Sequence, residues 1–303
     1  MLRNECEDYV SESLDFQPFS ASHWALIIST RLVVTDMKTA TTFDPALSIA
    51  RQSLYRFAAL SLLDPRAGCW EQLSELRGDG ILTDAAELIR NEPTAKTETL
   101  ALAERSLDDL DPGPVFAELP GCEAVLNDEF ERTFGLLVSN ACPPYETEYI
   151  NGKFTFQRSH ALADVSGFYR AFGLQSSEQH PERPDHVVLE LEFMAFLIGL
   201  ERQAMADDFT DCEERAAVCR DAQQRFLREH LAWWVPPFSR LMGRENASGF
   251  YAAVGTMLAA FMAAERSLLD VEAISGSVQP SMLERPEECD GCMLAAGTQN
   301  DCE

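Results

Sequence analysis

The chain has 303 residues, with 24 basic and 50 acidic side chains and a formal charge of -26. That excess repels phosphate backbones and excludes nucleic acid as the natural partner. With 46% apolar residues the chain can bury a sizeable core, which excludes the disordered class.

Residues 1–43 read as an N-terminal extension outside the core, with Met37-Lys38 resembling an alternative start. From Asp44 the pattern becomes helical. Asp44 suits an N-cap and Pro45 a first helical residue, and apolar spacing carries a helix to the stop at Asp64-Pro65. Shorter amphipathic helices are predicted over Trp70–Leu76 and Thr83–Arg90. A further helix is predicted over Thr97–Leu110, ended by Asp111-Pro112-Gly113-Pro114, and another over Cys122–Val138. Two prolines then predict a non-helical loop through Tyr145-Glu146-Thr147-Glu148-Tyr149. Helix resumes over Phe156–Phe172.

Glu182 to Glu201 is the stretch around which the rest is organised. Pro184 fits a first helical turn, and Asp185 sits where the helix dipole favours negative charge. The segment from Val187 to Leu200 is apolar on most sides, as in a buried core helix. Glu190 and Glu192 interrupt it, which argues against a membrane span. Two long helices follow, over Thr210–Trp234 with Pro236-Pro237 as the stop, and over Ala247–Leu269. No segment shows sustained strand alternation. The expected architecture is a single all-α helical-bundle domain over residues 44–272, with a flexible cysteine-containing tail at 273–303.

The usual catalytic signatures are absent: there is no phosphate loop, GxSxG, HExxH or dinucleotide fingerprint. Neither catalysis nor a cofactor is expected. His23, His160, His180, His186 and His230 are well separated in sequence. Nine scattered cysteines and no secretory signal at MLRNECEDYV predict a reducing, cytoplasmic setting. Cys289-Asp-Gly-Cys292 with Cys302 is the one metal-like spacing, yet it supplies three of about four ligands. Incidental cysteines in a tail outweigh the metal reading, which leaves a metal- or redox-responsive regulator as the rival function. Tyr145, Glu146, Glu148 and Tyr149 read either as a ring-anchored surface loop or as aromatic faces and carboxylates for a basic peptide. Asp185 and His186 read either as helix capping or as part of that site.

In order, the segments RQSLYRFAALSLL, PPYETEY, LADVSGFYRAFGL, ERPDHVVLELEFM and REHLAWWVPPF resemble the TorD/DmsD/NarJ family of redox-enzyme maturation chaperones. The resemblance covers about residues 44–270, and ERPDH followed by ELEFM is its most specific part. It implies an all-α fold of the TorD-like type and a cytoplasmic chaperone, monomer or homodimer, without a membrane span. The implied partner is the catalytic-subunit precursor of a molybdopterin oxidoreductase, bound through its twin-arginine signal peptide until the cofactor is inserted. The family's Glu-x-x-Asp-His segment matches Glu182, Asp185 and His186, and here Pro184 falls directly before the aspartate. The expected peptide-binding residues are therefore Tyr145, Glu146, Glu148, Tyr149, Glu182, Pro184, Asp185 and His186.

Overall fold

The computed structural model describes residues 14–16, 43–135, 142–150, 155–176, 182–206, 211–244 and 246–273. Cys289, Cys292 and Cys302 lie outside the described residues, as does most of the N-terminal extension. The all-α expectation is borne out. The helices are α1 (Pro45–Ser61), α2 (Cys69–Leu76), α3 (Ile81–Asn91), α4 (Gly113–Glu118) and α5 (Glu123–Phe134). They continue as α6 (Thr155–Ala171), α7 (Val187–Ala206), α8 (Cys212–Phe226), α9 (Ala232–Met242) and α10 (Phe250–Leu268). One short antiparallel pair is present, β1 (Leu14–Phe16) on β2 (Leu174–Ser176), with Phe16 opposite Leu174. Through it the N-terminal extension touches the chain that follows α6. Among the described residues, no helix is long and apolar enough to cross a membrane.

Asp44 starts α1 as its residue type dictates: Oδ1 accepts the Ala46 and Leu47 amides at 2.8 and 3.4 Å. Helix α7 is the central rod, packed chiefly against α1 and α8, while α9 packs against α10. Its Leu191, Phe193, Met194, Leu197 and Ile198 are fully buried, as the apolar run predicted. Phe193 stacks edge-on with Phe226 of α8 at 4.8 Å and with Tyr169 of α6 at 4.9 Å.

Buried ions tie the same helices together. Arg51 of α1 donates to both oxygens of Glu265 on α10, at 2.6 and 2.7 Å, and to Gln223 of α8 at 3.1 Å. Gln223 in turn donates to Glu201 of α7 at 2.7 Å. A bidentate Arg–carboxylate pair with a further bond to a neutral amide is a form in which buried charge is tolerable. Gly255 on α10 meets the Ser239 carbonyl of α9 so closely that a side-chain carbon has no room. That contact lets the two helices approach.

Three local expectations are corrected. Thr97–Leu110 is not a helix: only Leu107–Asp109 forms a 3₁₀ turn. The guanidinium of Arg266 draws this segment onto α10 instead, donating to Glu104 at 2.8 and 2.9 Å and to the Thr99 carbonyl at 2.7 Å. Pro236-Pro237 do not end a helix but lie inside α9, both rings buried. A π-helical turn at Leu227–Leu231 precedes them, so the hydrogen-bond ladder is already shifted, and burial of the rings offsets the lost donors. Pro184 does not open α7; it sits in a turn before it, its carbonyl accepting the Tyr169 hydroxyl at 2.8 Å.

Candidate functional site

The predicted loop and the predicted helix entrance come together. Tyr145 and His186 form an isolated antiparallel β-bridge. The Glu146 amide donates to the Asp185 carbonyl at 3.0 Å, and the Val187 amide to the Pro144 carbonyl at 2.9 Å. The segment after the two prolines, Glu146–Tyr149, is a 3₁₀ turn rather than an open loop.

Asp185 is the pin of this pair and is 0% exposed. Its Oδ2 accepts the Thr147 amide at 3.1 Å and the Thr147 hydroxyl at 2.8 Å. Arg183 closes the set, donating to both Asp185 oxygens at 3.0 and 2.8 Å and to the Thr147 hydroxyl at 2.7 Å. The same guanidinium lies 4.1 Å above the Tyr145 ring, in cation–π position. His186 caps α7: its Nδ1 accepts the Val188 amide at 3.2 Å, which requires that nitrogen to be bare. Burial holds this imidazole below its usual pKa, in the neutral form that the cap needs.

Glu146 and Tyr149 turn inward. Glu146 is 1% exposed; His230 Nδ1 lies 3.2 Å from both of its oxygens, and Trp233 Nε1 donates to it at 3.2 Å. Burial is the main reason that its carboxyl is pushed up, with the His230 bond working the other way. Behind it, Glu190 of α7 accepts from Trp234 Nε1 at 3.1 Å, and its Oε1 has no hydrogen-bond partner. Burial first, and the Glu146 carboxylate second, hold Glu190 well above the usual carboxylate range, so this acid keeps its proton. The Tyr149 hydroxyl donates to the Pro143 carbonyl at 3.0 Å, and its ring packs on Trp234 at 5.2 Å.

What faces outward is a half-buried rim of Tyr145, Glu148, Glu182, Arg183, Pro184 and His186. Glu182 accepts the Arg183 amide at 2.8 Å and lies 3.5 Å from the Tyr145 hydroxyl. Burial, then the Glu182 charge, pushes that phenol up to about 12. Glu148 pairs with Arg158 at 3.2 Å and with Arg183 at 3.6 Å. Beside the rim, a small recess of about 10 Å³, room for one water, is lined by Leu62, Phe130, Phe134, Pro144, His186, Val187 and Phe238. Carboxylates and rings gathered at such a rim can hold basic groups of a peptide.

Sequence reasoning placed the eight candidates in one neighbourhood but missed Arg183, Thr147, Trp233, His230 and Glu190. Arg183 was legible, as the one cation inside Glu-Arg-Pro-Asp-His. The others are joined to the site only through the fold.

Fold and site define an all-α scaffold that presents two interlocked segments at the mouth of a central helix. Residues 115–240 match the family model of the nitrate reductase delta subunit. It is similar to the selenate reductase assembly chaperone protein of Thauera selenatis, 39% identical over 116 residues, covering 38% of this chain and 56% of that one. The chaperone protein TorD of Aliivibrio salmonicida is 27% identical over 155 residues, 51% of this chain and 62% of its own. The chlorate reductase assembly chaperone protein of Ideonella dechloratans is 35% identical over 112 residues, 37% of this chain and 54% of its own. The chain thus spans little more than half the length of these curated relatives, which bear out the resemblance to the TorD/NarJ family. No solved structure matches the chain.

Proposed function

We propose that this protein is an assembly chaperone that binds the catalytic-subunit precursor of a molybdopterin oxidoreductase and transforms nothing. The relatives named as reductase assembly chaperones support this reading. So does one structural observation, the bridge between Tyr145 and His186. It sets carboxylates and rings at a solvent-facing rim on a support that the core holds rigid. The ligand is a twin-arginine signal peptide, whose basic head suits Glu148 and Glu182, with the apolar recess beside them widening to take its apolar stretch.

In this reading the eight candidates divide by exposure. Tyr145, Glu148, Glu182, Pro184 and His186 meet the peptide, while Glu146, Tyr149 and Asp185 fix the shape that presents them. The chaperone body is residues 44–272, with residues 1–43 and 273–303 as appendages, and it works in the cytoplasm as a monomer or homodimer. The excess negative charge steers a basic peptide inward, an effect that salt removes. Copurification with molybdopterin-enzyme precursors tests the proposal. Capture of a precursor carrying its signal, and not of the same subunit without it, is the expected result. Equal capture of both forms contradicts the signal-peptide assignment, and capture of neither contradicts the chaperone reading.

A further inference from the structure

Helix α8 passes into α9 through the π-helical turn Leu227–Leu231. Such turns carry one residue more than the α-helical ladder needs and recur at functional sites. Here the turn brings two consecutive side chains, Glu229 and His230, against one neighbour, Asp164 of α6. One oxygen from each carboxylate and one imidazole nitrogen lie within 4.8 Å of one another.

The orientation of His230 is set from behind. Its Nδ1 lies 3.2 Å from both oxygens of Glu146, an acceptor, which places the ring hydrogen on Nδ1. Nε2 is then a bare lone pair. The side chain is 3% exposed, and Nε2 is buried with no hydrogen-bond partner. What faces it, at 3.5 Å, is Asp164 Oδ2, which on a carboxylate can only accept. With the ring hydrogen assigned to Nδ1, two acceptors face each other across a short gap, an arrangement that a cation between them stabilises.

We propose that Asp164, Glu229 and His230 bind a first-row divalent transition cation, with Glu146 as the orienting carboxylate behind the histidine. A carboxylate on the far nitrogen of a ligating imidazole is the usual partner in such sites. Metal–ligand distances of about 2.0–2.2 Å set neighbouring donor atoms roughly 3 Å apart, so Asp164 and His230 need to close by only a few tenths of an ångström. The Asp164 side chain is 62% exposed, which leaves a path for the ion and room for water to complete its shell. Arg228 and Arg225 approach Oε1 of Glu229 at 2.7 and 3.7 Å, leaving the other oxygen to the metal. One imidazole with oxygen donors suits manganese, iron or zinc better than magnesium or calcium. The cluster contains no thiolate.

The test is a titration of the untagged full-length protein with Mn²⁺, followed by the paramagnetic resonance of the free ion. Thiolates hold Mn²⁺ poorly, so the nine cysteines stay silent. One ion bound per chain is expected, at least tenfold weaker in Asp164→Asn and weaker in Glu229→Gln. The His230 ring signals should broaden before those of His160 and His186. Because Asp164 is exposed, Asp164→Asn should keep the metal-free melting temperature, which checks the fold. No binding at millimolar Mn²⁺, or equal binding by Asp164→Asn, overturns the assignment.

Discussion

Asp185 and Thr147 are joined twice, the Thr147 amide and hydroxyl both donating to the single oxygen Oδ2 at 3.1 and 2.8 Å. These residues are 38 apart in the chain. The bonds lock the turn after Pro143-Pro144 onto the entrance of α7. The Asp185 carboxylate is therefore spent inside the protein, where it holds Arg183 and the Thr147 turn in place.

Asp185→Ala should lower stability as well as peptide affinity. Removing one partner of a buried, hydrogen-bonded charge pair costs about 3–5 kcal/mol, here moderated by the part-exposed Arg183. Urea denaturation should show a clear drop in midpoint, with Asp185→Asn falling between the variant and the wild type. An unchanged midpoint in Asp185→Ala contradicts this arrangement.

Gly255→Ala should also destabilise, without touching the site. A methyl group at Gly255 collides with the Ser239 backbone carbonyl, which cannot swing away as a side chain can. Overpacking of this kind costs about 1–3 kcal/mol. A lowered urea midpoint with unchanged peptide affinity per folded molecule is the expected pair of readings.

Glu190 makes the fold sensitive to pH. Its carboxyl keeps a proton in the folded state at pH values where the unfolded chain has lost it. The unfolded state then binds fewer protons, so stability falls as pH rises above the ordinary carboxylate range, until the folded group also ionises. Glu190→Gln keeps an acceptor for Trp234 Nε1 and removes the titration. Urea midpoints at pH 5, 6.5 and 8 should fall less steeply for this variant. At pH 8 it should be the more stable protein. Parallel pH profiles for the two proteins contradict the assignment.

Much of this was legible in the residues. Asp44-Pro45 announced α1, the apolar run from Val187 announced the buried rod, and Glu-Arg-Pro-Asp-His marked the corner that meets the Tyr145 segment. What escaped were features set by distant partners. Glu190 read as a break in an apolar run, yet Trp234 and Glu146 make it a buried acid. Pro236-Pro237 read as a stop because the π turn upstream has no local signature. The apolar spacing of Thr97–Leu110 fitted a helix, but Arg266 on the last helix claims that segment's polar groups. Asp185 looked like an outward charge because neither Thr147 nor the role of Arg183 can be seen from spacing.

Glu148 and Glu182 are the carboxylates at this rim that reach solvent, and a basic ligand would compete there with Arg158 and Arg183 for Glu148. Glu148 and Glu182 are half-buried at the rim, and each charge-assisted bond to a peptide arginine is worth about 1–2 kcal/mol in such a setting. The most direct measurement is calorimetric titration of a panel of twin-arginine signal peptides into the wild type and into Glu148→Gln/Glu182→Gln. The double variant should keep the wild-type melting temperature, bind at least tenfold more weakly, and lose most of the salt dependence of binding. Wild-type affinity in the double variant, or no peptide binding by the wild type, contradicts the account.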